Sequence, residues 1–263
     1  MSLLSQVRKG RKVAPRRVLL YGVQGIGKTT WGASAPNAII LPTEEGSNDI
    51  DCAALPLVTS FEQAIAALSE LYSEQHNYQT LVVDSLDWLE TLIWAKVCRA
   101  KCVSSIEECG YGKGYVFALE YWRQFLDGLG ALREARGMSI ILIAHAKIEK
   151  FQNPETDDYD RYMPRLHKAA AHVLQEWCDE VLFATYKVYV KNSEQGFGRT
   201  VAKGVGGTDR IIRTTERPAA MAKNRLNLPD ELPLIWDAYA QYLTPTASAA
   251  FVPTNGANAN GNS

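Results

Sequence analysis

Apolar residues recur along this chain in two rhythms. Short unbroken runs at 18–21, 38–41, 80–83 and 139–144 have strand length and no polar alternation, the pattern of strands buried on both faces of a parallel sheet. Between them, 61–72 repeats its apolar residues (Phe61, Ile65, Leu68, Tyr72) at helical spacing, and 29–35, 86–99 and 115–136 also read as helices. Strand and helix in alternation predict an α/β fold, a mostly parallel sheet flanked by helices. The pattern changes after Lys147. Residues 147–165 are polar, acidic in the middle and carry prolines, which predicts a mobile loop. A helix is expected at 165–177. Residues 180–191, 200–203 and 210–214 then alternate like antiparallel strands joined by Gly-rich turns, and 234–242 predicts a last short helix.

From Thr244 onward the chain is Ala, Asn, Gly, Ser, Thr and Pro around a single aromatic, Phe251, a composition that predicts a disordered tail. The chain thus divides into a basic N-terminal arm (1–15), one domain (16–243) and the tail (244–263).

The run Gly22-Val23-Gln24-Gly25-Ile26-Gly27-Lys28-Thr29, followed by Thr30, satisfies the phosphate-cradling pattern G-x-x-x-x-G-K-[ST] at every fixed position. The glycines let backbone N–H groups curl around an anion. Lys28 reaches the outer phosphates, and Thr29 offers a hydroxyl to a phosphate-bound magnesium ion. A strand before the run and a helix after it supply the required context. These residues predict ATP as ligand, with Mg2+.

Magnesium on a triphosphate needs an acid at the end of a neighbouring strand. Asp84, closing the run Leu81-Val82-Val83, occupies such a place. Many hydrolysing proteins of this class put a glutamate next, to orient water. Here Ser85 follows, so the base falls to Glu44 or Glu45 at the end of the preceding strand, on the carboxyl edge where ligands bind.

Composition narrows the field. Over 263 residues the chain carries a net charge of −1 with 46% hydrophobic residues, an ordinary globular balance with no global bias toward nucleic acid. No uninterrupted apolar run approaches membrane-spanning length. Five cysteines without secretory context point to free thiols in a reducing cytoplasm, and the spacing of Cys98, Cys102 and Cys109 matches no common zinc pattern. Two segments carry the parts of a single-strand binder. Residues 110–115 alternate glycine with Tyr111, Lys113 and Tyr115, two stackable rings and a cation. Residues 147–168 bring Lys147, Lys150, Arg161 and Arg165, interrupted by Glu155, Asp157, Asp158 and Asp160.

With these residues in order, the chain resembles phage-encoded RecA-like P-loop ATPases, including single-strand annealing proteins of phage recombination modules. The resemblance covers about residues 16–243. Val82-Val83-Asp84-Ser85 looks like the magnesium strand of RecA-type recombinases, and Thr43-Glu44-Glu45-Gly46 like their water-activating segment, which favours Glu45 with Glu44 in reserve. His145 stands where that family places a polar γ-phosphate sensor, more often Gln or Asn. Lys223 and Arg225 resemble a Lys-x-Arg pair that completes a neighbouring subunit's site. The resemblance implies a DNA-stimulated ATPase on single-stranded DNA, in recombination or strand annealing, in the cytoplasm. It also implies a homo-oligomer with ATP sites between subunits and a single-strand binding protein as partner. Three alternatives stand beside it: an annealing module with little hydrolysis, a helicase or helicase loader, and a nucleoside kinase. No segment resembles a kinase's arginine-rich lid.

Overall fold

The computed structural model describes residues 3–7, 14–46, 49–153, 157–195 and 199–243; the expected tail and most of the basic arm lie outside the described residues. The chain runs from a 3-10 turn (Leu3–Gln6) into β1 (Arg17–Gly22), α1 (Lys28–Ala33), β2 (Ala38–Pro42), β3 (Ala53–Ala54), α2 (Phe61–Ser73) and β4 (Thr80–Asp84). It continues through α3 (Leu86–Lys101), a 3-10 turn (Ile106–Cys109), α4 (Lys113–Ala135), β5 (Ser139–Phe151) and β6 (Tyr159–Pro164). The last elements are α5 (Lys168–Trp177), β7 (Glu180–Gln195), β8 (Arg199–Arg213), β9 (Glu231–Pro233) and α6 (Trp236–Ala240).

The strands form one sheet in the order β3-β2-β4-β5-β1-β7-β8-β9, with β6 paired to β5 off this path. The pairs from β3 to β7 are parallel. Those joining β7 to β8, β8 to β9 and β5 to β6 are antiparallel. This is the predicted α/β architecture, mostly parallel with an antiparallel C-terminal extension.

Alternation along the strands accounts for the layers. Leu19, Tyr21, Leu81, Val83, Ile140 and Leu142 face one core, under α2, α3, α4 and α5. Val18, Leu20, Val82, Ile141 and Ile143 face a second, smaller core with Trp31 of α1 and Trp236 and Tyr239 of α6. Both sides of each central strand are therefore buried, which is why these runs lack polar positions.

Two expectations need correction. Residues 147–151 and 159–164 are strand, not loop: β5 continues to Phe151 and pairs with β6. Opposed charges face each other across this hairpin, Glu149 opposite Arg161 and Lys150 opposite Asp160, and Phe151 stacks on Tyr159 with centroids 5.3 Å apart. Polarity that reads as solvated coil along the sequence is engaged in ion pairs in the structure: Lys150 with Asp158 across the hairpin, Lys147 with Glu149 along β5, and Arg161 with Glu216. Residues 200–203 and 210–214 likewise belong to one strand, because backbone pairing with β7 carries Gly204 and Gly206 through the ladder. Strand pairing uses main-chain groups, so glycine does not by itself end it.

The N-terminal edge of the sheet is pinned by ion pairs. Arg16 bonds Glu180, Arg17 meets Asp179 at 2.9 Å and Arg225 meets the same carboxylate at 3.2 Å. At the other edge, Gly22 ends β1 where β7 passes too close for a side chain: a Cβ there would lie 2.2 Å from the Ala184 carbonyl oxygen. Gly22→Ala is expected to lose about 2 kcal/mol or more in urea unfolding, since the obstacle is backbone that cannot yield. Gly130 in α4 has nothing within 4 Å of such a Cβ, so Gly130→Ala is expected to gain about 0.5–1 kcal/mol in the same measurement.

Candidate functional site

The phosphate-binding sequence forms a tight turn between β1 and α1. Gly25 and Gly27 adopt φ of 72° and 104°, a region only glycine enters freely. Ile26 between them is buried in the smaller core and anchors the loop from beneath. The helix that follows spans six residues, so backbone amides and Lys28 supply the pull on an anion more than an extended dipole does. Gln24, Gly25, Gly27, Lys28, Thr29 and Thr30 all line one cleft of about 380 Å³. Gly22 and Val23 stand at its base, where their carbonyls accept from Lys28 Nζ at 3.2 and 3.0 Å. Burial lowers the Lys28 pKa, and the charges of Asp84, Asp87 and Glu44 oppose that fall.

Asp84 enters the cleft from the end of β4, and the Thr29 hydroxyl donates to its Oδ2 at 2.6 Å. The two oxygens expected to hold magnesium are thus already side by side. Burial raises the Asp84 pKa, with the Thr29 hydrogen bond acting against it. Hard oxygen donors of this kind suit Mg2+, which takes few protein ligands and completes its shell with phosphate and water. The peptide from Asp84 to Ser85 is cis. Thr43 then ties β2 to β4: its N–H donates to the Asp84 carbonyl at 2.7 Å and its hydroxyl to the Ser85 carbonyl at 2.6 Å. This clamp brings Glu44 and Glu45 to the cleft beside Asp84. Glu44 is half-buried and its charge acts on both Lys28 and Asp84, whereas Glu45 is exposed.

His145, on β5 between β4 and β1, also lines the cleft. Its Nδ1 lies 3.0 Å from Asp87 Oδ2, and its backbone N–H donates to Asp87 Oδ1 at 3.1 Å. A carboxylate only accepts, so Nδ1 carries a proton, and Nε2 is the ring nitrogen that Asp87 leaves free. Asp87 also bonds Arg165. Burial would push the Asp87 carboxyl up, but hydrogen bonds from His145 and Arg165 hold it well below the usual carboxylate range.

The remaining expected residues are scattered. Tyr111 projects fully into solvent from a left-handed turn between Gly110 and Gly112. Lys113, also exposed, opens α4 beside it. Tyr115 instead stacks on His167 with centroids 3.9 Å apart and bonds Glu107 through its hydroxyl. The four cations expected of residues 147–165 each have an acid partner within the chain. Lys147 meets Glu149 at 2.9 Å, Lys150 meets Asp158 at 3.3 Å, buried Arg161 bonds Glu216, and Arg165 bonds Asp87. Lys223 donates to the carbonyls of Gln175, Glu176 and Cys178, closing the end of α5 with all three of its N–H groups. Lys223 and Arg225 lie at the sheet edge opposite the phosphate loop, beside Val181 and Asp179.

Two acids escaped the sequence reading. Asp87 and Glu90 follow Asp84 at intervals of three and sit at the start of a helix, where acids ordinarily read as solvated dipole partners. Both are buried. Glu90 accepts the His167 N–H at 2.9 Å, and burial pushes its carboxyl up to about 7. The signal was present in the threefold spacing, which puts all three acids on one side of the β4–α3 junction.

The sequence pattern of the AAA domain family matches residues 14–226. A relative, the SPbeta prophage-derived uncharacterized protein YorG of Bacillus subtilis (strain 168), is 26% identical over 153 residues, covering 56% of this chain. The matched region is 45% of YorG's own length, so this chain spans less than half of it. Among solved structures, the crystal structure of the RadB recombinase aligns over 86% of this chain and 90% of its own, with 13% identity and a TM-score of 0.44.

The Glu90 carboxyl gives a pH test. Its folded pKa of about 7 lies above the ordinary 4.5, so its contribution to stability is present below pH 4.5 and lost as pH rises through 7. Glu90→Gln is therefore expected to be more stable than wild type at pH 8, by up to about 3 kcal/mol, and nearly equal to it at about pH 4. Urea unfolding at both pH values checks this; an equal gain at both would exclude the titration.

Proposed function

This chain belongs to the AAA domain family, and on that premise we propose that it is a magnesium-dependent, RecA-like ATPase acting on single-stranded DNA in recombination or strand annealing. One observation carries the reading. A single cleft gathers Lys28, Thr29, Asp84, Glu44, Glu45 and His145, and the Thr29–Asp84 bond at 2.6 Å brings the expected metal ligands together.

In this reading the loop amides and Lys28 bind the phosphates, with Lys28 leaving the Gly22 and Val23 carbonyls for the anion. Thr29 and Asp84 hold Mg2+, which supplies neutralisation of phosphate charge. Glu44 orients the attacking water, because its charge is the one that acts on Lys28 and Asp84. Glu45 is the alternative that the resemblance favours. His145 meets the terminal phosphate, and Asp87 fixes its ring through Nδ1. Arg165 then conveys that contact to the β5–β6 hairpin, since its own N–H donates to the His145 carbonyl at 2.7 Å. Exposed Tyr111 and Lys113 are the available stacking ring and cation for single-stranded DNA. Arg225, with a half-exposed side chain, serves the site of a neighbouring subunit in a homo-oligomer; Lys223, whose donors are all used, supports α5 instead.

Turnover with and without single-stranded DNA tests the proposal. Wild type is expected to hydrolyse ATP faster with DNA, and Lys28→Ala to lose about a hundredfold or more in both conditions. Equal turnover with and without DNA would sink the coupling, and absent turnover with retained ATP binding would favour the annealing module. Glu44→Gln is expected to abolish hydrolysis while keeping ATP bound, and Glu45→Gln to keep most of the rate. The reverse result moves the base to Glu45.

A further inference from the structure

We propose that Arg210 and Tyr186, on the antiparallel extension, hold the nucleoside end of the bound nucleotide within the same subunit. The inference rests on the nucleotide reading of the cleft and names its unassigned half.

The acids fix the direction. Asp84 ends β4, Glu44 follows β2 and His145 lies on β5, all on one side of the phosphate loop in the order β2-β4-β5-β1. A triphosphate whose outer phosphates and metal lie there leaves the loop on the other side, toward β7 and β8. Gly27 forms that wall. A Cβ at Gly27 would come 3.2 Å from Arg210 Nη1 and 3.9 Å from Leu234 Cδ2. The Arg210 guanidinium therefore lies against the outer flank of the phosphate loop, over an apolar neighbour.

Strand register places Tyr186 with it. Ala184 and Ile212 are cross-strand partners in the smaller core, on the face that carries α1. Two residues further along, Tyr186 and Arg210 are partners, so alternation returns both to that same face. The core has ended by this point, and Tyr186 keeps 37% of its surface exposed. Glu231 of β9 serves Lys187 and Arg213. Among the described residues Arg210 forms no salt bridge, so an exposed guanidinium stands against Gly27 of the phosphate loop with an exposed ring as its cross-strand partner. A planar cation and an aromatic face are the groups that stack on a nucleobase. Bare polyphosphate offers no base face on which the pair can stack.

Calorimetric titration with ATP and with inorganic tripolyphosphate, both with Mg2+, tests this. Arg210→Ala and Tyr186→Ala are each expected to bind ATP about tenfold more weakly and tripolyphosphate as wild type does. Retained tripolyphosphate binding also certifies that the variants are folded. Unchanged ATP affinity in both overturns the proposal, and an equal loss for both ligands overturns it by moving Arg210 onto the phosphates. Lys28→Ala is expected to weaken both ligands; if it weakens neither, the cleft is not the phosphate site and the underlying reading fails, whatever Arg210 does.

Discussion

A carboxylate drawn away from water has to be answered by a donor or a cation, and this protein draws in three in succession, two of them fully buried. Asp84, Asp87 and Glu90 occupy one side of the β4–α3 junction, Asp87 and Glu90 buried and Asp84 half-buried at the cleft. Left alone, each would cost several kcal/mol. Each is answered from a different element: Asp84 by Thr29 of the phosphate loop, Asp87 by His145 and Arg165, Glu90 by the backbone of His167. The need to satisfy these charges ties the loop, the middle of β5, the end of β6 and the start of α5 to one place. The same tie assembles the cleft.

The three acids differ in what answers them, and their titration differs accordingly. Side-chain donors from His145 and Arg165 hold Asp87 ionised, whereas the backbone N–H of His167 leaves Glu90 dominated by burial. Asp87 thereby works as a fixed anion that orients a ring, and Glu90 as a group near its midpoint at neutral pH. Chemistry at the cleft and packing behind it use the same residue type for separate ends.

Much of this arrangement was legible in the chain. The parallel strands are continuous apolar runs because both their faces are covered, and the loop's glycines announce φ values that other residues avoid. Asp84 was readable because an acid that ends such a run has few structural reasons to be there. What escaped depends on partners distant in sequence. The charges of 147–165 look solvated until the hairpin sets Glu149 opposite Arg161. Arg165 looks like a free cation until Asp87, 78 positions away, is seen beneath it. Tyr115 looks available until His167 covers its face. Glu44 and Glu45 are adjacent and chemically alike, so only their burial separates them.

The continuity of β5 has a mechanical consequence. One strand of 13 residues passes from the sheet through His145 into the hairpin. The six residues beyond His145 reach about 20 Å from it at strand rise. Over that arm a tilt of about 5° at the sheet edge displaces the far end by roughly 2 Å. The hairpin is therefore a pointer on a stiff shaft: a rearrangement too small to disturb the packed core at its pivot arrives at its tip as a movement the size of an atomic radius or more.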